Sequence, residues 1–430
     1  MADIVIYGRG KTGQSLQKML QKQGKKAIFY DDEHGFDMPC NFTPQTTVLL
    51  SPGVKPNAKG LIWAKNCGSN IVSELEYCFP LCKSPVISIT GTNGKTTTCE
   101  LIYHILKCAS KQSHLLGNGG VPFAEKVLTC QPQDIVVLES SSFQLNNCKN
   151  FAPKVSLFTN LAVDHLDYHT SIADYSLAKQ NNFLFQSAND FAIFNADDKN
   201  TMALSQKSRA HTLFYSVSNA NTNCYTSGKM VHLNIFGKSQ VCNGDVLHKM
   251  FKHNQSNCLS AVLACSIFGI TLEQSLQAIN SYVFPPHRIQ VVAQFCGVTF
   301  VDDSKGTNIH ATVSACQNIQ GNVALILGGS QKGYQFDDIF ANLHGGIKYI
   351  CATGQTAMDI FHCGKKHGTD VHIFNNLAEC VKASFDAIKH IGGTVLMSNA
   401  CASFDKFSGY AERGKYFQQI VEELKIESQI

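Results

Sequence analysis

Apolar residues in this chain fall in short runs, each ended by a glycine-rich or polar turn and followed by a stretch with helical spacing. Such runs stand at Asp3 to Tyr7, Lys26 to Tyr30, Val48 to Leu50, Val86 to Ile89, Asp134 to Leu138, Val155 to Thr159 and Phe191 to Phe194. They resume at Val298 to Val301, Val323 to Leu327, Lys348 to Ala352 and Thr394 to Ser398. Aliphatic, β-branched runs of this length bounded by turns predict buried strands. Between them, Gln14 to about Gln23 reads as a helix, and Thr98, Leu101, Ile102, Ile105 and Leu106 share one face of another. Strand, turn and helix in repeated alternation predict α/β architecture with parallel, doubly wound sheets. Residues 205–250 alternate weakly and predict short antiparallel strands, with a helix from about His253. Breaks at Lys83-Ser84-Pro85 and Pro285-Pro286 divide the chain into three expected domains, 1–84, 85–286 and 287–430.

Composition changes this picture little. The chain has 430 residues, 44% hydrophobic and 16% charged, which suits packed cores and not disorder. A net charge of +4 and a pI near 8.2, without a Lys/Arg-rich run, argue against a nucleic-acid partner. The first residues enter a strand without an apolar leader, and no run of about 18 apolar residues occurs, so no membrane span is expected. The 18 cysteines include no C-x-x-C pair; Cys78 and Cys82 are spaced C-x-x-x-C, but no matching pair or His partner makes a zinc site of them. They are expected to be reduced core residues of a cytoplasmic protein.

The candidate chemistry sits at the strand ends. After Val86 to Ile89 comes Gly91-Thr92-Asn93-Gly94-Lys95-Thr96-Thr97, which opens a helix. These are the parts of a P-loop. Glycines let backbone N–H groups close around phosphate, Lys95 reaches the terminal phosphates, and the Thr96 hydroxyl can hold Mg²⁺. Ile89 stands where the usual pattern begins with glycine, so an ordinary strand-to-helix turn is the alternative. Glu139 ends a strand and can be a second holder of Mg²⁺ or a helix cap. Asp164, His165, Asp167 and His169 crowd one loop after Val155 to Thr159; His165 and His169 have zinc-like spacing, but a loop aimed at phosphates fits better. Asn254 and Asn257 open a helix and either cap it or face a nucleotide. Near the start, Gly8-Arg9-Gly10-Lys11-Thr12-Gly13 lies between strand and helix, with Asp31 and Asp32 after the next strand. Taken alone this predicts NAD and an oxidoreductase, although the pyrophosphate of a nucleotide sugar presents the same group. A non-catalytic P-loop switch is the other alternative.

These motifs, in this order, resemble the Mur ligase family of ATP-dependent amide-forming enzymes over nearly the whole chain. The segments are Gly91 to Thr97, Asn160 to Leu166, His253-Asn254 with Asn257, and Asp303-Ser304-Lys305. Gly8 to Ser15, Ser141 to Leu145 and Asn399 to Phe407 narrow the resemblance to members that add D-glutamate to UDP-N-acetylmuramoyl-L-alanine in peptidoglycan precursor synthesis. The resemblance implies a Rossmann-like N-terminal domain for the UDP substrate and a central P-loop ATPase domain. It further implies a Rossmann-like C-terminal domain that closes over the phosphates, in a monomer. It implies ATP, two Mg²⁺ ions and an acyl-phosphate intermediate. Lys95, Thr96, Glu139 and His165 would serve phosphates and metal, with Asn118 positioning the reacting groups and Lys179 carbamylated. Asn254, Asn257, Arg288, Asp303 and Lys305 would surround ATP. Thr12, Asp31, Asp32, Ser51 and Ser141 would face the UDP substrate, and Thr307, Lys332, Ser403 and Tyr410 would receive D-glutamate. Four positions depart from the family pattern: Gly306 replaces alanine, Asn399 proline, Glu33 arginine and Tyr410 phenylalanine.

Overall fold

The apolar runs become the strands of three sheets, each with its polar turns gathered at strand ends. The computed structural model describes residues 4–38, 40–165, 168–331, 333 and 335–428. Lys332 and Asp167, both singled out by the sequence, lie outside the described residues.

By packing, the chain forms two compact units, Met1–Val283 and Phe284–Ile430. The first holds two sheets. In the five-stranded sheet the order is Gly35–Phe36, Ile28–Asp31, Ile4–Tyr7, Thr47–Leu50 and Asn70–Ser73, parallel except at the Gly35–Phe36 edge. The nine-stranded sheet places Val86–Thr90 between Val155–Phe158 and Ile135–Glu139, all parallel. Its far side is extended by Phe191–Asn195 and His211–Ser216, then by an antiparallel ribbon over Cys224–Ser227, Met230–Ile235 and Lys238–Asn243. The weak alternation over 205–250 is therefore antiparallel only in its later part, because His211–Ser216 pairs parallel with Phe191–Asn195. A continuous apolar cluster joins the two sheets, running from Leu16, Leu20 and Leu75 to Phe123, Val136 and Leu138.

The helix Lys95–Cys108 buries Leu101, Ile102, Ile105 and Leu106, the face its spacing predicts. Burial of each such side chain contributes about 1.5–3 kcal/mol. Residues Lys252–Ser266 form the next long helix, which packs on it.

The second unit has one six-stranded sheet in the order Gln290–Phe295, Val298–Asp302, Gly393–Met397, Val323–Leu327, Ile347–Ala352 and His372–Ile373. All pairs are parallel except the first, which is a hairpin. Its core comprises Phe300, Ile326, Val381, Met397 and Phe417. The 18 cysteines are all free thiols and most are buried. Among the described residues no helix is long and apolar enough to cross a membrane.

Candidate active site

The glycine loop after Val86–Thr90 has the backbone its composition calls for. Gly91 lies at φ 143° and Gly94 at φ 85°, in the region that favours glycine. A Cβ on Gly91 would collide with the Thr159 hydroxyl, and one on Gly94 would come within 2.6 Å of Asn257 Oδ1. The loop is tied down from the neighbouring strand end. Asn160 Oδ1 accepts from the Asn93 N–H at 2.9 Å, Thr159 Oγ1 donates to Asn93 O at 2.6 Å, and the hydroxyls of Thr92 and Tyr175 are 3.1 Å apart. Lys95 is the first residue of its helix, and its Nζ donates to Gly91 O at 2.9 Å and Thr92 O at 2.8 Å. The ammonium thus spans the loop at a helix N-terminus whose N–H groups favour an anion. Thr96 is half-buried and Thr97 buried beside it. From the second long helix, Asn254 is buried with its Oδ1 unpartnered, and Thr98 Oγ1 lies 3.4 Å from Asn257 Oδ1. Neither asparagine caps that helix, whose N-cap is Phe251.

Beside the loop, the turn 117–120 wraps the Glu139 carboxylate. Asn118 Nδ2 donates to Glu139 Oε1 at 3.1 Å, and a Cβ on Gly119 would strike Oε2. Asp164 is buried and accepts at Oδ1 from the His165 N–H at 2.9 Å. His165 itself sits at φ 54°, an uncommon backbone for a non-glycine residue. His169 turns away to Ser142 Oγ at 3.0 Å, and no three-donor metal cluster among the described residues includes either histidine. A hydroxyl at Thr96 and a carboxylate cradled by Gly119 are oxygen donors that fit a hard divalent cation completed by phosphate oxygens and water.

Lys179 is 1% exposed, so the alternative of a solvated surface lysine is overturned. Its Nζ donates to Gly91 O at 2.7 Å and Thr90 Oγ1 at 3.3 Å, and lies 4.8 Å from the centre of the Tyr175 ring. Burial pushes its pKa well below the usual lysine value. Lys95 adds to that, while Asp164 and Glu139 oppose it.

In the first sheet, Gly8 at φ 104° brings Ser51 Oγ to 3.3 Å from Gly8 O. Thr12 is half-buried in the helix after the glycine turn. Asp31 accepts from Arg9 Nε and from the His34 N–H at 2.7 Å. Asp32 accepts from Tyr7 Oη at 2.7 Å and the Gly60 N–H at 2.9 Å. Both carboxylates therefore hold their own strand ends together.

In the second unit, Arg288 stands between two residues with left-handed backbone, His287 at φ 66° and Ile289 at φ 45°, the latter a strained β-branched position. Asp303 is buried and accepts from Ser398 Oγ at 2.6 Å; burial pushes its pKa up to about 7. A Cβ on Gly306 would strike the Asp303 carboxylate and sit 2.9 Å from Ser398 Oγ, so this carboxylate fills the space an alanine methyl would need. Lys305 Nζ lies 5.7 Å from the Tyr410 ring centre, and Thr307 is half-buried. Ser403 and Asn399 are buried, and among the described residues Ser403 Oγ and Asn399 Oδ1 have no hydrogen-bond partner.

Residues 89–265 match the Mur ligase middle domain, and residues 287–401 match the Mur ligase, glutamate ligase domain. The chain is 33% identical to a UDP-N-acetylmuramoylalanine–D-glutamate ligase of Clostridioides difficile (strain 630) over 98% of both chains. It is 34% identical to another of that name from Alkaliphilus oremlandii (strain OhILAs), again over 98% of both. The chain belongs to the Mur ligase family. Solved structures share the fold: MurF from Acinetobacter baumannii superposes with a TM-score of 0.61 at 15% identity, covering 94% of this chain and 98% of that one. A pseudomurein peptide ligase type C from Methanothermus fervidus gives 0.59 at 16% identity, covering 98% and 99%.

This Mur ligase brings Gly91 to Thr97, Asn118, Glu139, Lys179, Asn254 and Asn257 to the strand ends of the nine-stranded sheet. Ser141 also lies there, as the N-cap of a short helix, with its hydroxyl bonded within the capping box to Gln144. Three polar residues went unread in the sequence. Arg9 sits inside the first glycine turn and supplies positive charge beside Asp31 and Asp37 at 2.6 Å from the latter. Its only local signal is its place between Gly8 and Gly10. Glu74 and Arg413 are buried ionisable residues, and no local pattern marks a charged residue as buried.

Proposed function

We propose that this chain joins D-glutamate to UDP-N-acetylmuramoyl-L-alanine at the expense of ATP, through an acyl phosphate. The observation that carries the reading is the match over 98% of both chains to relatives of that name. The glycine loop and Lys95 support it independently, because their geometry suits a polyphosphate.

A carboxylate is a poor acceptor for an amine because oxide would have to leave. Attack of the alanine carboxylate oxygen on the ATP γ-phosphorus breaks the bond to the bridging oxygen, releases ADP and leaves an acyl phosphate, which has a good leaving group. The backbone N–H groups of 91–97 and the Lys95 ammonium neutralise the moving charge. Asn118 orients the carboxylate and shares a hydrogen bond with Glu139. Mg²⁺ held by Thr96 and Glu139, with a second ion near His165, would supply further charge neutralisation. The amine of D-glutamate then attacks the acyl carbon, and inorganic phosphate leaves. Arg288, Asp303 and Lys305 with Asn254 and Asn257 serve the nucleotide; Thr307, Ser403 and Tyr410, with Lys332, serve D-glutamate. The buried Ser403 hydroxyl is suited to a ligand carboxylate because it has no hydrogen-bond partner among the described residues. Thr12, Ser51 and Arg9 serve the UDP end.

Lys179 is suited to carbamylation. Its amine is held towards the neutral form, which adds CO₂ and releases a proton to leave a carbamate. That reverses the sign of a cation crowded by Lys95 and offers oxygens to the metal site. Three functional domains, 1–84, 85–286 and 287–430, acting in a cytoplasmic monomer, complete the reading. The test is phosphate release measured with UDP-N-acetylmuramoyl-L-alanine and a panel of amino acids. Release that requires both the precursor and D-glutamate supports it. Nucleotide hydrolysis indifferent to both would replace it with a P-loop switch, and nicotinamide absorbance changes with an oxidoreductase.

A further inference from the structure

Arg413 is a buried cation of the second unit that nothing in the reaction above uses. It lies on the helix Tyr410–Glu427 and is 3% exposed. Its guanidinium makes four hydrogen bonds to two loops. Nε donates to Ser304 Oγ at 2.9 Å and Nη2 to Ser304 O at 2.9 Å. Nη2 also donates to Cys401 O at 3.0 Å, and Nη1 to Ala402 O at 3.4 Å. A third loop leans on it: a Cβ on Gly329 would come to 3.1 Å from Nη1 and strike Ala402 O. These are the loops after the strands Val298–Asp302, Gly393–Met397 and Val323–Leu327, which lie side by side in the sheet. Strand-end loops of an open parallel sheet are where ligands bind.

The acceptors are neutral oxygens, and among the described residues Arg413 forms no ion pair. Burial lowers its pKa to about 10, so it stays charged at neutral pH. A buried charge is costly unless it is hydrogen-bonded or balanced, and here the four hydrogen bonds, with Asp405, Asp302 and Asp303 nearby, offset that cost. Here the planar fork reaches two loops at once, which a lysine cannot do. The loops it ties carry Lys305, next to Ser304, and Ser403, next to Ala402.

We propose that Arg413 is a positioning residue for the proposed ligation: it holds the 303–305 and 401–403 loops in register so that Lys305 and the unpartnered Ser403 hydroxyl face their ligands. The proposal rests on the assignment of those loops to ATP and D-glutamate. It also adds fixed positive potential beneath the loop that would take a dicarboxylate.

The experiment uses the full chain with Arg413→Lys, which keeps the charge, and Arg413→Gln, which keeps part of the hydrogen bonding. Amide hydrogen exchange is followed at 303–305 and 401–403, alongside circular dichroism, and KM is measured for each substrate. The expected result is faster exchange at both loops with the rest of the sheet unchanged. KM for D-glutamate should rise about tenfold or more and KM for ATP less, as for loss of one or two charge-assisted hydrogen bonds. KM for the UDP precursor should stay within about twofold, because its residues lie in the other unit. Unchanged exchange in both loops, or all three KM values rising together, overturns the proposal. The exchange measurement does not depend on catalysis. If the wild-type protein releases no D-glutamate-dependent phosphate, the proposed function fails, and exchange alone decides whether Arg413 orders the loops.

Discussion

At the scale of single residues, two lysines near Gly91 do opposite things. Lys95 is half-buried and bonded to loop carbonyls, so it contributes little to packing. Lys95→Ala should lower kcat by about a thousandfold through lost phosphate stabilisation, while unfolding free energy changes by only about 1 kcal/mol. A folded variant that keeps its activity would remove the phosphate role. Lys179 is buried and close enough to Lys95 to be destabilised by it as a cation. If Lys179 carries the proposed carbamate, Lys179→Ala should be nearly inactive and partly restored by short carboxylates such as acetate or propionate, which would stand in for its oxygens. Lys179→Arg should stay inactive, since it keeps a positive charge. Mass spectrometry of the protein in bicarbonate that shows no CO₂ adduct, together with an active Lys179→Arg, would end this idea.

At the scale of elements, Glu74 links pieces that are distant in sequence. It opens the helix Glu74–Cys78 after the last strand of the first sheet, and its Oε1 accepts from the Ala124 N–H at 2.9 Å. That bond steadies the segment after Asn118. Burial raises its pKa from 4.5 to about 7, with hydrogen bonds from the Ala124 backbone, Gln144 and the Phe123 backbone opposing. Between those two values the native chain holds a proton that the unfolded chain has lost. The stability from Glu74 is therefore full below about 4.5, declines as pH rises, and is gone above about 7. The decline is about 3 kcal/mol for a shift of this size. Glu74→Gln keeps an acceptor for Ala124 but cannot ionise. Urea midpoints of the variant should lack this decline between pH 5 and pH 7.5 and exceed those of the parent at pH 8. Parallel profiles for the two proteins would show that Glu74 titrates as it does in the unfolded chain.

At the scale of the molecule, each unit carries its own core. Leu16, Leu75, Phe123 and Leu138 belong to a cluster wholly within the first, and Phe300, Ile326, Val381 and Phe417 to one wholly within the second. Calorimetry should resolve two transitions. The UDP precursor without ATP should stabilise only the transition of 1–283, by about 2.7 kcal/mol at a hundred times its Kd. One cooperative transition that moves as a whole would contradict independent cores.

The sequence by itself determined what depends on neighbours along the chain. Val323–Leu327 is a strand to the residue, because a β-branched and aliphatic run ends at Gly328-Gly329. The glycine loop and its helix were legible for the same reason: strand, glycines, Lys95 and the apolar helix face are contiguous. Tertiary structure alone decided which charged residues are buried. Lys179 reads as a surface lysine until Thr90 and Gly91, 88 and more residues away, close over it. Arg413 meets Ser304 across 109 positions, and Glu74 meets Ala124 across 50. No window on the sequence contains both partners of such a bond. The same holds for the shared core of the first two sheets, since Leu16 and Leu138 are both plain apolar positions until folding makes them members of one cluster. Periodicity records which face of an element avoids water; what that face or a charged neighbour meets there is set by the path of the whole chain.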